Sequence, residues 1–211
     1  MHTSMEWAEQ RRFMVERQLR GRGIRDERVL TAMLEIPREE FVPAAHRGAS
    51  YADDPAPIGH EQTISQPYMV ALMAQCLELT GTETVLEVGA GCGYHAAVLG
   101  ALAAKVITIE LIPELAEMAR QNLEKTGRAA NITVICGDGS KGWPGCAPYE
   151  GISVAAAADE TPPALIEQLR EGGRLVIPVG GSWEQELRVI RKIGGELTSR
   201  VATYCRFVPL R

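Results

Sequence analysis

Several features that would have pointed elsewhere are missing from this sequence. Its five cysteines, Cys76, Cys92, Cys136, Cys146 and Cys205, are odd in number and include no C-x-x-C pair. They read as reduced, mostly buried thiols rather than a disulfide framework. The histidines, His2, His46, His60 and His95, share no ligand spacing with them, so no metal is expected. Positive charge is not in excess. Lys and Arg number 22 against 27 Asp and Glu, a formal charge of −5, the wrong sign for gripping phosphate backbones, and no nucleic-acid partner is expected. The longest small-apolar run, residues 96–104, is interrupted by Gly100 and falls short of the roughly 20 residues a membrane span needs. Residues 1–6 contain no apolar signal core. A cytoplasmic monomer without a membrane partner is the expectation.

What is present is the pattern of one α/β domain in 211 residues. Residues 5–22 read as a charged helix with Trp7, Met14, Val15 and Leu19 on one face, stopped by Gly21 and Gly23. Asp26 caps a second helix to about Glu35, closed by Pro37. Residues 43–67, with Pro55, Pro57 and Gly59, read as mostly loop. Strands then alternate with helices: strand 84–88, helix 94–103, strand 105–110, a helix from Pro113 to Gly127 and strand 132–136. A strand follows at 151–156, then a helix from Thr161-Pro162 stopped by Gly172-Gly173, and a strand at 174–179. An antiparallel pair, 187–193 and 201–208, closes the chain. Such alternation predicts a doubly wound, mostly parallel sheet.

Glu87-Val88-Gly89-Ala90-Gly91-Cys92-Gly93 lies between a strand and a helix. Three alternate glycines remove side chains where a ligand must touch backbone, and the helix N-terminus beyond offers free N–H groups. A tight turn without a ligand would use the same residues. The dinucleotide fingerprint G-x-G-x-x-G needs a third glycine where Tyr94 stands. Glu87 has no evident role beside a pyrophosphate but suits the ammonium end of a methionine moiety. Both details favour S-adenosylmethionine. Glu110 closes the second strand, where a carboxylate accepts from ribose hydroxyls; a surface acid at a strand end is the plain alternative. Asp138, in Gly137-Asp138-Gly139 after the third strand, is placed to accept from an adenine amino group, or simply makes an Asp-Gly turn.

Longer stretches carry a resemblance. Residues 38–43 (Arg-Glu-Glu-Phe-Val-Pro), 51–55 (Tyr-Ala-Asp-Asp-Pro), 62–68 (Gln-Thr-Ile-Ser-Gln-Pro-Tyr), 85–99, 172–180 and the ending Arg206-Phe207-Val208-Pro209-Leu210 together resemble the protein-L-isoaspartate (D-aspartate) O-methyltransferase family over nearly the whole chain. The resemblance implies a Rossmann-like class I S-adenosylmethionine-dependent methyltransferase with an N-terminal helical extension. Residues 1–80 would be helices and a covering loop, and residues 81–211 the cofactor-binding core, within one domain.

The resemblance further implies methyl transfer to the free α-carboxylate of isoaspartyl residues in damaged proteins, leaving S-adenosylhomocysteine. Ser65 matches the family's catalytic hydroxyl; helix capping is the competing role for Thr63 and Ser65. Gln62, Thr63, Ile64, Ser65 and Tyr68 would wrap the methionine end with Gly89, Gly91 and Gly93 behind. Glu110 and Leu111 would hold the ribose, and Asp138 and Gly139 the adenine. Three positions depart from the pattern. Glu61 replaces a usual glycine, Ala155 a threonine and Asp159 a proline. An ionised Glu61 about 4 Å from the acceptor carboxylate would cost about 4 kcal/mol at an effective dielectric near 20; the plainer expectation turns it to solvent. A methyltransferase for another carboxylate, an NAD-dependent oxidoreductase, which Tyr94 and the lack of a Tyr-x-x-x-Lys pair disfavour, and a non-catalytic cofactor-binding module are the alternatives.

Overall fold

The computed structural model describes residues 3–181 and 183–211; Met1 and His2, read above for targeting and metal binding, lie outside them. Helix α1, Ser4–Phe13, opens with a capping box in which the Thr3 hydroxyl accepts from the Glu6 N–H and the Glu6 carboxylate accepts from the Thr3 N–H. The helical run continues as a π turn, Met14–Leu19, and a 3-10 turn, Arg20–Arg22, before Gly23 at φ +97° ends it. Met14, Val15 and Leu19 are buried and Trp7 packs partly buried beside them, as the periodicity implies. Helix α2, Glu27–Glu35, is capped by Asp26, which accepts from the N–H groups of Arg28 and Val29. Arg28 donates to the carbonyls of Leu79 and Leu102, pinning this layer to the core below it.

The segment 43–67 is more ordered than expected. It contains an antiparallel hairpin, β1 Ala56–Gly59 and β2 Gln62–Ile64. Ala56 and Ile58 face inward while Pro57 and Gly59 face out, so a period of two was present in the residues. The turn hid it. His60 and Glu61 adopt φ +51° and +59°, the two-residue geometry normally signalled by Asn-Gly. Helix α3, Pro67–Leu77, follows with Pro67 in its first turn.

The main sheet is built from β3 Thr84–Val88, β4 Lys105–Glu110, β5 Ile132–Cys136, β6 Tyr149–Val154, β7 Leu169–Val179, β8 Gln185–Ile193 and β9 Glu196–Cys205. Its order is β5-β4-β3-β6-β7-β8-β9, with the first five strands parallel and the last two antiparallel. Helices α4 Tyr94–Leu102, α5 Pro113–Lys125 and α6 Pro163–Glu167 connect the parallel strands. The doubly wound expectation holds, and the order reverses between β3 and β6, where such sheets open a crevice at their carboxyl ends. Alternation along each strand divides the interior. Val85, Val106 and Val176 face the layer containing α2, α3 and α4, and Leu86, Ile107, Ile152 and Leu175 face the other side.

Several boundaries differ from expectation: β6 is Tyr149–Val154 rather than 151–156, and β8 begins at Gln185 rather than 187. The helix after Thr161 ends at Glu167, and β7 begins at Leu169, so Gly172-Gly173 lie inside a strand. There the register slips, from Tyr149 opposite Leu169 to Gly151 opposite Arg174. Gly172 takes φ +81°, and a Cβ on Gly173 would meet the Arg170 carbonyl oxygen at 2.8 Å; the glycines form a bulge rather than a helix stop. The last strand is Glu196–Cys205, not 201–208, because residues after Cys205 turn back toward β6. Among the cysteines, all free, Cys76 and Cys92 are buried, Cys146 and Cys205 half-buried and Cys136 exposed, fewer inside than expected. No helix among the described residues is long and apolar enough to cross a membrane. No group of three or more His, Cys, Asp or Glu among them is disposed to hold a metal.

Candidate active site

The carboxyl ends of β3, β4 and β6 open into a cleft of about 1030 Å³. Gly89 and Gly91 supply bare backbone to its floor at φ +93° and +54°, a conformation that favours glycine. Gly93 does not line it. A Cβ there would press on Ala119 of α5 at 3.2–3.3 Å, so the third glycine lets two helices approach. Glu110 is buried at one wall, where its carboxylate accepts from the N–H groups of Gly91 at 2.8 Å and Ile112 at 3.0 Å. Each oxygen retains a further acceptor site. Leu111 and Ile112 add an apolar edge, and Gly139 closes that end. Gly139 packs so tightly on β3 that a Cβ would sit 2.4 Å from Val88 Cγ1.

The roof is the β1–β2 hairpin with its exit. Ile58, Gln62, Thr63, Ile64 and Ser65 line the cleft. Neither Thr63 nor Ser65 caps α3; the N-cap is Gln66, without a side-chain bond, and the Ser65 hydroxyl makes no hydrogen bond to another described residue. Its backbone is held from behind. Arg38 is 1% exposed, donates through Nε to the Ser50 carbonyl at 2.7 Å and through Nη2 to the Ser65 carbonyl at 2.8 Å, and stacks 4.8 Å from the Tyr94 ring centroid. Burial pushes the Arg38 pKa below its ordinary value.

A second cavity of about 1370 Å³ meets the first across Thr63, Ser65, Ala155, Val208 and Pro209. Asp159 and Arg206 line its outer part. The C-terminal segment makes the shared wall because it is stitched to the end of β6: Ala157 N–H donates to the Val208 carbonyl at 2.8 Å, and Leu210 N–H to the Ala157 carbonyl at 2.7 Å. The Gln185 side chain clamps the backbone of Phe207 from the other side.

Besides Gly93, three expected site residues stand elsewhere. Tyr68 lies outside the cleft lining, its ring under the Arg22 guanidinium at 3.7 Å and its N–H donating to Asp53. The Asp138 carboxylate bonds to Ser140 and Lys141 at the loop after β5 rather than lining the cleft. Glu87 is wholly buried beneath the floor, where it accepts from the Thr108 hydroxyl at 2.5 Å. Burial pushes its pKa up to about 8. Glu61 is exposed on the hairpin turn and lines neither cavity, as the plainer expectation had it. Pattern reading missed His95, Tyr94 and the Val208–Arg211 wall. The ending had carried only resemblance, and nothing local in it signals a wall.

A glycine-floored cleft at the topological switch of a doubly wound sheet, with an acid at the end of the neighbouring strand, is the arrangement of a Rossmann-like enzyme that binds an adenosine-containing cofactor. The family model for protein-L-isoaspartate(D-aspartate) O-methyltransferase matches residues 9–211, and the chain belongs to that family. It is similar to the protein-L-isoaspartate O-methyltransferase of Koribacter versatilis, 56% identical over 93% of this chain and 88% of that one. To the protein of that name from Methanoregula boonei it is 50% identical, over 100% and 96%. A solved protein-L-isoaspartate O-methyltransferase superposes with TM-score 0.82 at 32% identity, over 94% of this chain, which spans 65% of that longer one. A Plasmodium falciparum structure described as a putative protein-L-isoaspartate O-methyltransferase, in complex with S-adenosyl-L-homocysteine, gives 0.80 at 26% identity, over 94% and 96%.

Proposed function

We infer that this chain transfers a methyl group from S-adenosylmethionine to the α-carboxylate of L-isoaspartyl and D-aspartyl residues in damaged proteins. The observation that carries the reading is the junction of the two cavities, with an unbonded Ser65 hydroxyl beside it. When bound, the cofactor supplies an electrophilic methyl on a sulfonium that is already a leaving group. The first cleft fits it. Glu110 has acceptor sites left for ribose hydroxyls, Leu111 and Ile112 offer an apolar face to adenine, and the Gly89–Gly91 backbone permits close approach.

The residues then have little bond chemistry to perform. A carboxylate with an ordinary pKa near 4 is an anion at neutral pH, so no general base is required. Ser65 donates to one acceptor oxygen and aims the other through the junction. Arg38 fixes the Ser65 backbone, while the hairpin and the 208–211 wall exclude water. Alignment of this kind supplies roughly 7–11 kcal/mol of barrier reduction. The second cavity takes the isoaspartyl chain, and residues 1–80 cover the core formed by 81–211 within one domain. The five free thiols support a protein working in the cytoplasm, and we read it as a monomer.

A more specialised protein carboxylate acceptor is the second reading, favoured by Asp159 in the acceptor cavity. Labelled S-adenosylmethionine with a matched isoaspartyl and aspartyl peptide pair separates the two. Base-labile label on the isoaspartyl peptide alone supports the first reading; label on neither favours the second.

A further inference from the structure

Among the described residues that line the second cavity, two carry charge: Asp159, beyond the end of β6, and Arg206, just before the C-terminal wall. The rest of the lining is apolar, glycine or neutral, with Pro55, Met69 and Phe207 as larger apolar members. Asp159 and Arg206 are both exposed, and the side chain of neither forms an ion pair or a hydrogen bond with another described residue. Two opposite charges therefore share one cavity without pairing.

The backbone around them is fixed. Ala158 N–H donates to the Pro178 carbonyl at 3.1 Å, and Gly180 N–H to the Ala158 carbonyl at 3.0 Å, so the residue before Asp159 is tied to the end of β7. The turn after β7, which shares the cavity wall, is as tight: Gly180 takes φ +142°, and a Cβ on it would meet the Glu184 carbonyl oxygen at 2.6 Å. Arg206 adjoins Phe207, whose backbone the Gln185 side chain clamps. Charges carried on a framework held this way are in place before a ligand arrives, and little binding energy is lost in ordering them.

The acceptor brings a negative charge of its own. A lone acid in the cavity would repel an isoaspartyl α-carboxylate, and Arg206 offsets that repulsion. Asp159 also stays clear of the junction, which is lined by Thr63, Ser65, Ala155, Val208 and Pro209. It is therefore set to meet the polypeptide flanking the isoaspartyl residue rather than the group that takes the methyl. We propose that Asp159 is a specificity-determining residue, which selects acceptors carrying Lys or Arg next to the isoaspartyl residue and disfavours those carrying Asp or Glu there. This rests on the isoaspartyl reading above and names the acceptor class within it.

Steady-state methylation by the full chain tests it with isoaspartyl peptides that differ only in having Lys, Ala or Glu beside the isoaspartyl residue, on its N-terminal side in one set and its C-terminal side in another. In at least one set kcat/KM is expected to fall in the order Lys, Ala, Glu. Lys should exceed Glu about 5- to 25-fold, two steps each the size of an exposed ion pair. The preference shrinks toward about 1 M salt, where charges more than roughly 3 Å apart are screened. Asp159→Asn brings the ratio to about one or below, since Arg206 is then the charged residue of the lining, whereas Asp159→Glu retains it. Glu160→Gln makes the same change of charge one residue outside the lining and retains the ratio too, which separates a local contact from attraction by the chain's net charge. A parent ratio near one in both sets overturns the proposal. So does an Asp159→Asn variant that keeps the ratio, whether or not its overall rate falls, or a Glu160→Gln variant that loses it equally. If no peptide of either set is methylated, the isoaspartyl reading itself fails first.

Discussion

Replacing Glu61 by glycine is expected to stabilise the protein without changing its catalysis. Glu61 sits at φ +59° in the β1–β2 turn, with His60 before it at φ +51°. A left-handed conformation costs an ordinary residue roughly 1–2 kcal/mol. Glycine removes that strain but gives back about 0.4–1 kcal/mol through the freer unfolded chain. The balance favours Glu61→Gly by about 1 kcal/mol, which for a domain of this size raises Tm by roughly 2–4 °C. Glu61 is exposed and lines neither cavity, so kcat/KM on an isoaspartyl peptide should stay within about twofold. A charge aimed at the acceptor would behave otherwise, since relief of about 4 kcal/mol amounts to nearly a thousandfold. Scanning calorimetry and steady-state kinetics on parent and variant read both numbers. A Tm that falls, or a kcat/KM that rises tenfold or more, would refute the reasoning.

Ser65→Ala should lower kcat/KM roughly 10- to 100-fold, the loss of one hydrogen bond to a charged acceptor, while calorimetry shows S-adenosylhomocysteine binding nearly unchanged. Arg38→Met leaves the Ser50 and Ser65 carbonyls without their buried donor; a stability loss of about 2–4 kcal/mol in urea unfolding is expected, with a fall in kcat. Glu87→Gln tests the buried carboxyl through pH. The folded pKa near 8 lies above the unfolded value of 4.5, so between those values the unfolded parent releases a proton that the folded parent keeps. Parent stability therefore falls as pH rises through that window, and Glu87→Gln should gain on the parent from pH 5 to pH 8 in urea unfolding. His95, pushed below its ordinary value, makes both proteins lose stability as pH falls from about 6.5 toward 4.

The parallel core was legible because its signals are local. Short apolar strands, helix starts such as the Asp26 cap and the glycine turn at 89–93 fall where the structure has them. The hairpin at 56–64 was not, since its turn is built from His60 and Glu61, residues that do not announce positive φ. Gly172-Gly173 misled for the opposite reason, because glycine marks a strand bulge as readily as a helix end. The floor and the roof of the cleft, Gly89, Gly91, Glu110 and residues 62–65, could be named from pattern and resemblance. The wall of Val208, Pro209 and Leu210 depends on backbone bonds to Ala157, more than fifty residues away in sequence, and no local pattern encodes such a contact. Glu87 was assigned to the ligand because its position in the motif is visible while its depth is not.

The account stands on Ser65 aiming an acceptor carboxylate through the opening between the two cavities. A crystal structure with S-adenosylhomocysteine and an isoaspartyl peptide measures this directly. The expected result is the Ser65 Oγ within hydrogen-bond distance of the isoaspartyl α-carboxylate, with the other carboxylate oxygen facing the sulfur. A Ser65 side chain turned from the sulfur, with the peptide seated outside the second cavity, would contradict it.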